Sequence, residues 1–244
     1  MNAVLATYLR ELRAYFFSPL AYVVLFFFLV INGFIFIGMV SFLSDPRAQG
    51  GSPMTYFIPA TGFMSLLILG VALTMRLISE ELRSGSIEVL MTAPVTEGQV
   101  VAGKYLAVLT FYAFLWLPTL AYPLVISAYE KMDWGPVAAG YFGLLALGAY
   151  LLAVGVFASS VTRSQLLAAI ITAVLILLLF LLSWFGDVFN GNATKQVFEY
   201  LNLGTHLDEF AKGIVDTRRL VYYGSGTLFF LFLATRALED RKWR

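Results

Sequence analysis

Six long runs without charged residues divide the chain, and each is close to the length of a membrane-spanning helix. A helix needs about 20 apolar residues to cross ~30 Å of hydrocarbon. The runs are apolar throughout and do not alternate, which favours helices over strands. The pattern predicts an all-α integral membrane protein with six transmembrane helices, at Leu20–Leu43, Ile58–Met75, Tyr105–Ala128, Val137–Val161, Leu166–Phe185 and Leu220–Thr235.

Helix-capping signals mark where several of these helices begin. Ser18-Pro19 is typical of an N-cap followed by a first-turn proline. Two capping boxes are predicted, one at Thr96-Glu97-Gly98-Gln99 before the third span and one at Thr162-Arg163-Ser164-Gln165 between the fourth and fifth. The second box predicts a very tight connection between those two spans.

Residues 1–17 form an amphipathic segment ahead of the first span. On a helical wheel its apolar residues share one side, while Arg10 and Arg13 lie outside that arc. We expect a helix lying along the inner headgroups with both arginines toward anionic lipid. The alternative is a simple anchor that leads into the first span.

Composition supports lipid as the main solvent of the chain. Apolar residues make up 60% and charged residues 13%, with a mean hydropathy of +0.82, whereas a soluble domain is roughly half apolar and a quarter charged. The net charge is +1 and no basic face is concentrated enough to suggest nucleic acid. The chain has no cysteine, which excludes disulfides and thiolate metal sites.

The distribution of Lys and Arg predicts the orientation in the membrane. Cytoplasmic loops carry an excess of these residues. With six spans and both termini in the cytoplasm, ten of the 16 lie inside and six outside. The inside set is Arg10, Arg13, Arg76, Arg83, Lys104, Arg163, Arg236, Arg241, Lys242 and Arg244, and the outside set is Arg47, Lys131, Lys195, Lys212, Arg218 and Arg219.

The connection over residues 76–104 is longer than a hairpin between two spans requires. It carries the charged residues Glu80, Glu81, Arg83 and Glu88, and Pro94 ends its helical pattern. One interpretation is a solvated loop with pairing such as Glu80–Arg83. The other is a docking element for a soluble partner, which is favoured by the apolar run at residues 87 and 89–91.

This connection resembles a family signature. Residues 80–95 read Glu-Glu-Leu-Arg-Ser-Gly-Ser-Ile-Glu-Val-Leu-Met-Thr-Ala-Pro-Val. They resemble the pattern E-E-R-[KR]-x-G-T-[IL]-E-x-L-L-x-[AS]-P-V of permeases of type-2 ABC exporters, with the gliding-motility-associated permeases as the nearest match. Gly103-Lys104 is similar to the Gly-Lys pair that precedes the third span in that family. Leu82, Ser86 and Met91 depart from the pattern.

The resemblance implies a single permease domain over residues 1–244 in the bacterial cytoplasmic membrane. It implies an interfacial helix at 1–17, a cytoplasmic coupling helix within 76–104, and short exoplasmic helices within 186–219. The partners it implies are an ABC ATPase subunit and a second permease chain, as a homodimer or a heterodimer. An extracytoplasmic accessory protein is a further candidate partner. The coupling residues it indicates are Glu80, Glu81, Arg83, Ser84, Gly85, Glu88 and Pro94.

The chain carries no motif for catalysis or cofactor binding. It has no phosphate-binding loop of the form Gly-x-x-x-x-Gly-Lys-[Ser/Thr], so we expect ATP and Mg²⁺ on the partner subunit and none bound here. No metal site is expected, because soft metals need clustered Cys, Met or His. The only histidine, His206, is interpreted as a polar contact on the surface of a short outer helix that opens at Thr205 and stops at Gly213.

The sequence leaves alternatives for the transported cargo and for the surface at which two permease chains would meet. Few polar residues lie within the spans, which fits an amphiphilic cargo or a mechanical role without cargo. The glycines of the fourth span serve either internal packing or a substrate path. Aromatic residues of the first span, among them Phe27, Phe28 and Phe34, are either a dimer interface with the fifth span or a lipid-facing surface. A membrane scaffold without transport is the rival function.

Overall fold

The computed structural model describes residues 3–44, 52–86, 95–129, 131–185 and 200–242. Its regular elements are helices, and all but one short 3₁₀ turn are α-helical. The α-helices are α1 (Ala3–Phe16), α2 (Pro19–Leu43), α3 (Pro53–Thr74), α4 (Ser79–Ser84), α5 (Glu97–Trp116), α6 (Ala121–Ser127), α7 (Trp134–Val161), α8 (Gln165–Phe185), α9 (Leu203–Ala211) and α10 (Thr217–Lys242).

Length and composition qualify several of these helices as membrane spans. Within the described ranges, Pro19–Leu43, Glu97–Ser127 and Trp134–Val161 are long and apolar enough. A fourth span is added if Pro53–Phe63 and Ile68–Ser84, which are bent by 43° relative to one another, are counted as one. Gln165–Leu181 is apolar but shorter, and α10 carries charges at both ends. The sequence-predicted count of six spans therefore stays a prediction.

Helix α7 is the buried centre of the bundle. It packs against α3, α5, α8, α9 and α10, and most of its residues between Tyr150 and Ser160 are buried. Its glycines are the points of closest approach, since a Cβ at each would overlap a neighbouring side chain: Gly140 meets Ile58, Gly143 meets Phe210, Gly148 meets Tyr112 and Gly155 meets Thr74. These glycines serve internal packing, one of the two roles left open by the sequence.

Tyrosine hydroxyl groups attach α5 to α7. The Tyr112 hydroxyl donates to the Leu144 carbonyl at 2.9 Å, and the Tyr105 hydroxyl donates to the Ala149 carbonyl at 3.1 Å. Both acceptors are backbone oxygens of α7. In lipid the hydrophobic effect does not drive helices together, so interhelical hydrogen bonds of this kind help to stabilise their association.

The third predicted span is not one straight helix. α5 ends at Trp116, a 3₁₀ turn covers Pro118–Leu120, and α6 continues from Ala121. Pro118 lacks a backbone N–H and its ring conflicts with the preceding turn, which explains the interruption.

The predicted caps have mixed outcomes. The box at Thr96 and Gln99 is confirmed, with both reciprocal bonds formed. The box at Thr162 is wrong: Thr162 Oγ1 accepts from the Ser164 N–H, and Ser164 Oγ accepts from the Leu167 N–H just before α8 begins. The helix begins at Gln165, so Ser164 immediately before it is the N-cap, and its hydroxyl reaches the N–H of the third helical residue.

The short outer helix is present with a different start. α9 begins at Leu203, where Asn202 Oδ1 accepts from the N–H groups of Gly204 and Thr205, rather than at Thr205. Gly213 follows the helix with φ of +84°, the left-handed conformation expected of a glycine stop. The part of the predicted outer segment from 186 to 199 lies outside the described residues.

His206 on α9 is fully buried, so the expectation of a surface histidine is wrong. Its Nδ1 lies 2.8 Å from the Tyr223 hydroxyl and its Nε2 lies 3.1 Å from the Tyr200 carbonyl. The carbonyl can only accept, so Nε2 carries the proton and Nδ1 accepts from Tyr223. Burial, and next the nearby Arg219 guanidinium, lower the pKa of His206 from 6.5 to about 4.

Gly148→Ala tests the packing of α7. The added methyl overlaps the buried Tyr112 ring and threatens its hydrogen bond to Leu144, so we expect a loss of about 1–3 kcal/mol of stability. Gly38→Ala on α2 is the control, because nothing lies within 4 Å of its Cβ position and alanine favours a helix. Thermal unfolding in detergent measures both, and equal melting temperatures would contradict the packing role.

Stability should fall as the pH falls from 6.5 towards 4. The folded pKa of His206 lies below its unfolded value, so the unfolded chain binds more protons in this window and is favoured on acidification. The carboxyl groups of Asp208, Glu209 and Asp216 lie nearby, so the wild type is compared with His206→Gln, which keeps them. The pH dependence between 6.5 and 4 should be weaker in the variant; parallel curves would show that His206 is not the group responsible.

Candidate functional site

The short helix α4 is anchored at its first residues by another helix. The first N–H groups of a helix have no partner within it, and Ile78, which precedes α4, offers no capping side chain. Ser159 Oγ near the end of α7 accepts instead from the N–H groups of Ile78 and Ser79, both at 3.0 Å. Leu82 of α4 is buried, so α4 lies against the bundle.

Lys104 is the buried cation of this end of the molecule. Its side chain on α5 is 1% exposed, and its Nζ lies 3.0 Å from Glu11 Oε1 and 2.9 Å from Glu81 Oε1. The same ammonium donates to the Leu77 carbonyl at 2.9 Å. Three acceptors satisfy its three N–H groups. They come from α1, from α4 and from the turn before α4.

Arg10 completes a balanced group of charges. Its Nη2 lies 2.7 Å from Glu11 Oε1 and 3.0 Å from Glu81 Oε1. Two cations and two carboxylates therefore share contacts, and we call Arg10, Glu11, Glu81 and Lys104 the charge cluster. Arg10 is half-exposed, so solvent screens its contribution, whereas the ammonium of Lys104 is enclosed.

A polar cavity of about 270 Å³ lies beside the charge cluster. It is bounded by the end of α1, the turn after α3, and α4. Tyr15 donates to the Leu73 carbonyl at 2.7 Å and Arg76 Nη2 donates to Ser18 Oγ at 3.2 Å, so α1 is also attached to the end of α3. Ser18 precedes α2 as predicted but makes no capping bond.

The predicted coupling residues separate into three groups. Glu81 belongs to the charge cluster, while Glu80 lines the cavity. Arg83 and Ser84 are exposed, and Gly85 ends α4 with φ of +73°. Among the described residues no ion pair joins Glu80 to Arg83, the pairing expected of a solvated loop; Glu81 is paired instead. Glu88 and Pro94 lie outside the described residues.

The interfacial residues also separate. Arg10 belongs to the charge cluster and its guanidinium donates to Glu81 of α4, while Arg13 is exposed. Among the aromatic residues of α2, Phe27 and Phe34 are exposed and Phe28 is 4% exposed, packed edge-on against Trp116. Phe28 thus faces the interior of the chain.

Sequence reasoning missed the site roles of Glu11, Lys104 and Ser159, and named Lys104 only as a cytoplasmic cation and in the Gly103-Lys104 pair of the family resemblance. A signal for Lys104 existed: counted from the Thr96 cap, it lies four residues from Val100 and from Val108, both buried. A cation on the apolar face of a helix indicates a buried ion pair, since an isolated buried charge is too costly. In the part of the chain that the structure describes, no group of three or more His, Asp or Glu side chains could hold a metal ion.

Ser159→Ala should loosen α4. It removes the acceptor of two buried N–H groups, which costs about 1–3 kcal/mol. Hydrogen exchange at residues 78–84 measures the effect. Ser160→Ala is the matched control, because Ser160 is equally buried and donates only to Phe157 within its own helix. Unchanged protection in Ser159→Ala would mean that the anchor is unimportant.

The family of the chain follows from its match to a family model. A model described as "ABC-2 family transporter protein" matches residues 31–238, and the comparison with curated proteins gives no match. The matched range includes α4, Lys104 and Ser159 and leaves out α1. Members of this family are membrane permeases whose ATPase is a separate subunit. The chain therefore belongs to the ABC-2 transporter family, as a multi-pass membrane permease of an ABC transporter.

Proposed function

We propose that this permease receives the motion of a separate ATPase subunit through α4 and the connection that follows it. The observation that carries this proposal is the attachment of α4, by Ser159 to α7 and by Glu81 to α1 and α5. A displacement of α4 by the ATPase would be transmitted to α1, α5 and α7 together. A plain connection between spans needs no such attachment. ATP and Mg²⁺ would be bound by the ATPase, and the cycle would require a second permease chain.

The α4 end is proposed to face the bacterial cytoplasm, with both chain termini and Arg163 on that side. Contacts support one shared end: α1 packs on α5, and Thr235 of α10 lies beside Gly98 of α5. The Lys and Arg distribution favours the same side. At the opposite end Gly213, after α9, lies against Pro136 of α7. Six spans are consistent with the helices, because α8 has 21 residues and α10 has 26.

An amphiphilic cargo is the proposed substrate class. A cavity of about 410 Å³ lies near the α9 end between α3, α8 and α9. Phe63, Phe180 and Leu207 contribute apolar surface to it, while Asn202 and Asp208 contribute polar groups. This combination suits a molecule with a hydrocarbon part and a polar head. Work done on lipid or on a partner without passage of cargo is the alternative.

The dimer surface is proposed on the exposed aromatic face of α2. Phe27 and Phe34 belong to that face, whereas Phe28 is excluded by its packing on Trp116. Lipid contact requires the same apolar residues. A homodimer and a heterodimer both fit.

Co-purification tests the permease proposal against the scaffold alternative. An ATPase in roughly equal stoichiometry should accompany the chain from its native membrane. Recovery of partners without nucleotide-binding activity would favour the scaffold. Glu81→Arg should release the ATPase or uncouple ATP hydrolysis, because it places a third cation beside Lys104 and Arg10. Glu239→Arg, which disturbs only an exposed pair with Arg236, should leave assembly and hydrolysis unchanged.

Single cysteines test the orientation, since the chain has none of its own. Ser86→Cys should react with an impermeant thiol reagent only from the cytoplasmic side, and Lys212→Cys only from the outside. Both positions are exposed. Reaction of both from the same side would refute the proposed topology.

A further inference from the structure

Helix α1 makes mainly apolar contacts along α5 and ionic contacts toward α4. Along α5 they are close and mainly apolar: a Cβ at Gly103 would lie 2.8 Å from Thr7 Cβ, and the Tyr15 ring stacks on Phe111 with centroids 5.1 Å apart. Toward α4 the described contacts are ionic, through Arg10 and through Glu11 by way of Lys104. Loss of the charges would leave α1 packed on α5 but would remove the connection between α1 and α4.

Helix α4 cannot hold its own orientation. It has six residues, fewer than an isolated helix needs to be stable. Ser159 fixes its first residues, and Glu81, two residues after Ser79, is the second fixed point. Buried Leu82 holds α4 against the bundle, and the ion pairs of Glu81 fix its direction toward α1 and α5. The second point depends on Lys104, the enclosed counter-ion of Glu81.

We propose that Lys104 is a positioning residue that makes α1, α4 and the adjoining end of α5 a single rigid unit. α1 is then a working part of the coupling device rather than an anchor only. This inference rests on the proposed function of α4. During the ATPase cycle α1 and α4 move together, and the distance between them stays constant.

The charge arrangement supplies variants that separate positioning from folding. Lys104→Met leaves Glu11 and Glu81 facing one another with only the half-exposed Arg10 between them, and removal of one partner of a buried pair is strongly destabilising. Lys104→Met with Glu81→Gln keeps the net charge and leaves Arg10 paired with Glu11 at 2.7 Å. Replacement of a whole buried pair by neutral groups is often tolerated. The double variant should therefore recover the melting temperature that the single variant loses.

Spin labels on α1 and α4 measure the positioning directly. Ala14→Cys on α1 and Ser84→Cys on α4, both exposed, carry the labels in the otherwise cysteine-free chain. The reference protein should give one narrow distance distribution, unchanged between the nucleotide-free complex and the complex trapped with ATP and vanadate. The double variant, although folded, should give a broadened distribution that shifts on trapping, and its transporter complex should lose the normal rate of ATP hydrolysis. Arg236→Met is the control, because it removes an exposed pair with Glu239 and a contact over the Phe232 ring, both outside the charge cluster, and it should match the reference.

Three results would overturn the inference: a distance that changes on trapping in the reference protein, a double variant as narrow as the reference, or a double variant that does not recover stability. The last would mean that Lys104 acts in folding alone. The distance measured on the permease by itself needs no partner, so it tests Lys104 even if no ATPase is found. Absence of an ATPase would contradict the proposed function and leave the distances between α1 and α4 to decide this inference.

Discussion

The ammonium of Lys104 is the constraint on which the α4 end of the molecule depends. A charge enclosed by protein must be surrounded by acceptors, because desolvation costs several kcal/mol per ion. The acceptors here are Glu11, Glu81 and the Leu77 carbonyl, which belong to separate parts of the chain. One cation therefore fixes the relative positions of α1, α4 and the turn before α4. A displacement of any of them leaves a buried group unpaired.

The charge cluster can transmit motion only if the helices behind α4 are firmly packed, and α7 provides that packing. Its glycines admit Ile58, Phe210, Tyr112 and Thr74 into close contact, and its carbonyls accept tyrosine hydroxyls from α5. Ser159, which holds the start of α4, lies near the end of the same helix. α5 and α7 are thus joined along their length, and both end at α4. Motion that enters at α4 is applied to two described spans that are mostly buried inside the protein.

Sequence patterns correctly predicted the features that depend on residues close together in the chain. The apolar runs located the long helices, and the Thr96 box and the Gly213 stop were correct because each depends on a few neighbouring residues. The Thr162 box failed because a nearby serine caps the helix instead, and the break at Pro118 within the third span was not predicted. The charge cluster joins positions 93 residues apart, which no local pattern indicates. The apolar face around Lys104 and the Gly103-Lys104 pair of the family resemblance both point to this residue, but neither identifies its partners.

The two ends of the molecule use polar groups in different ways. At the α9 end His206 is neutral at ordinary pH and bonds to Tyr223 and the Tyr200 carbonyl, so that end is attached by short-range hydrogen bonds. At the α4 end the attachment is ionic and shared among four side chains. The ion pairs of the α4 end are also close hydrogen-bonding contacts, with Arg10 Nη2 and Lys104 Nζ 2.7–3.0 Å from the carboxylate oxygens, and charge-assisted hydrogen bonds are stronger than neutral ones. Helix α4 therefore stays in a fixed position on α1 and α5, while at the α9 end neutral hydrogen bonds and the Arg219–Glu209 ion pair hold the geometry.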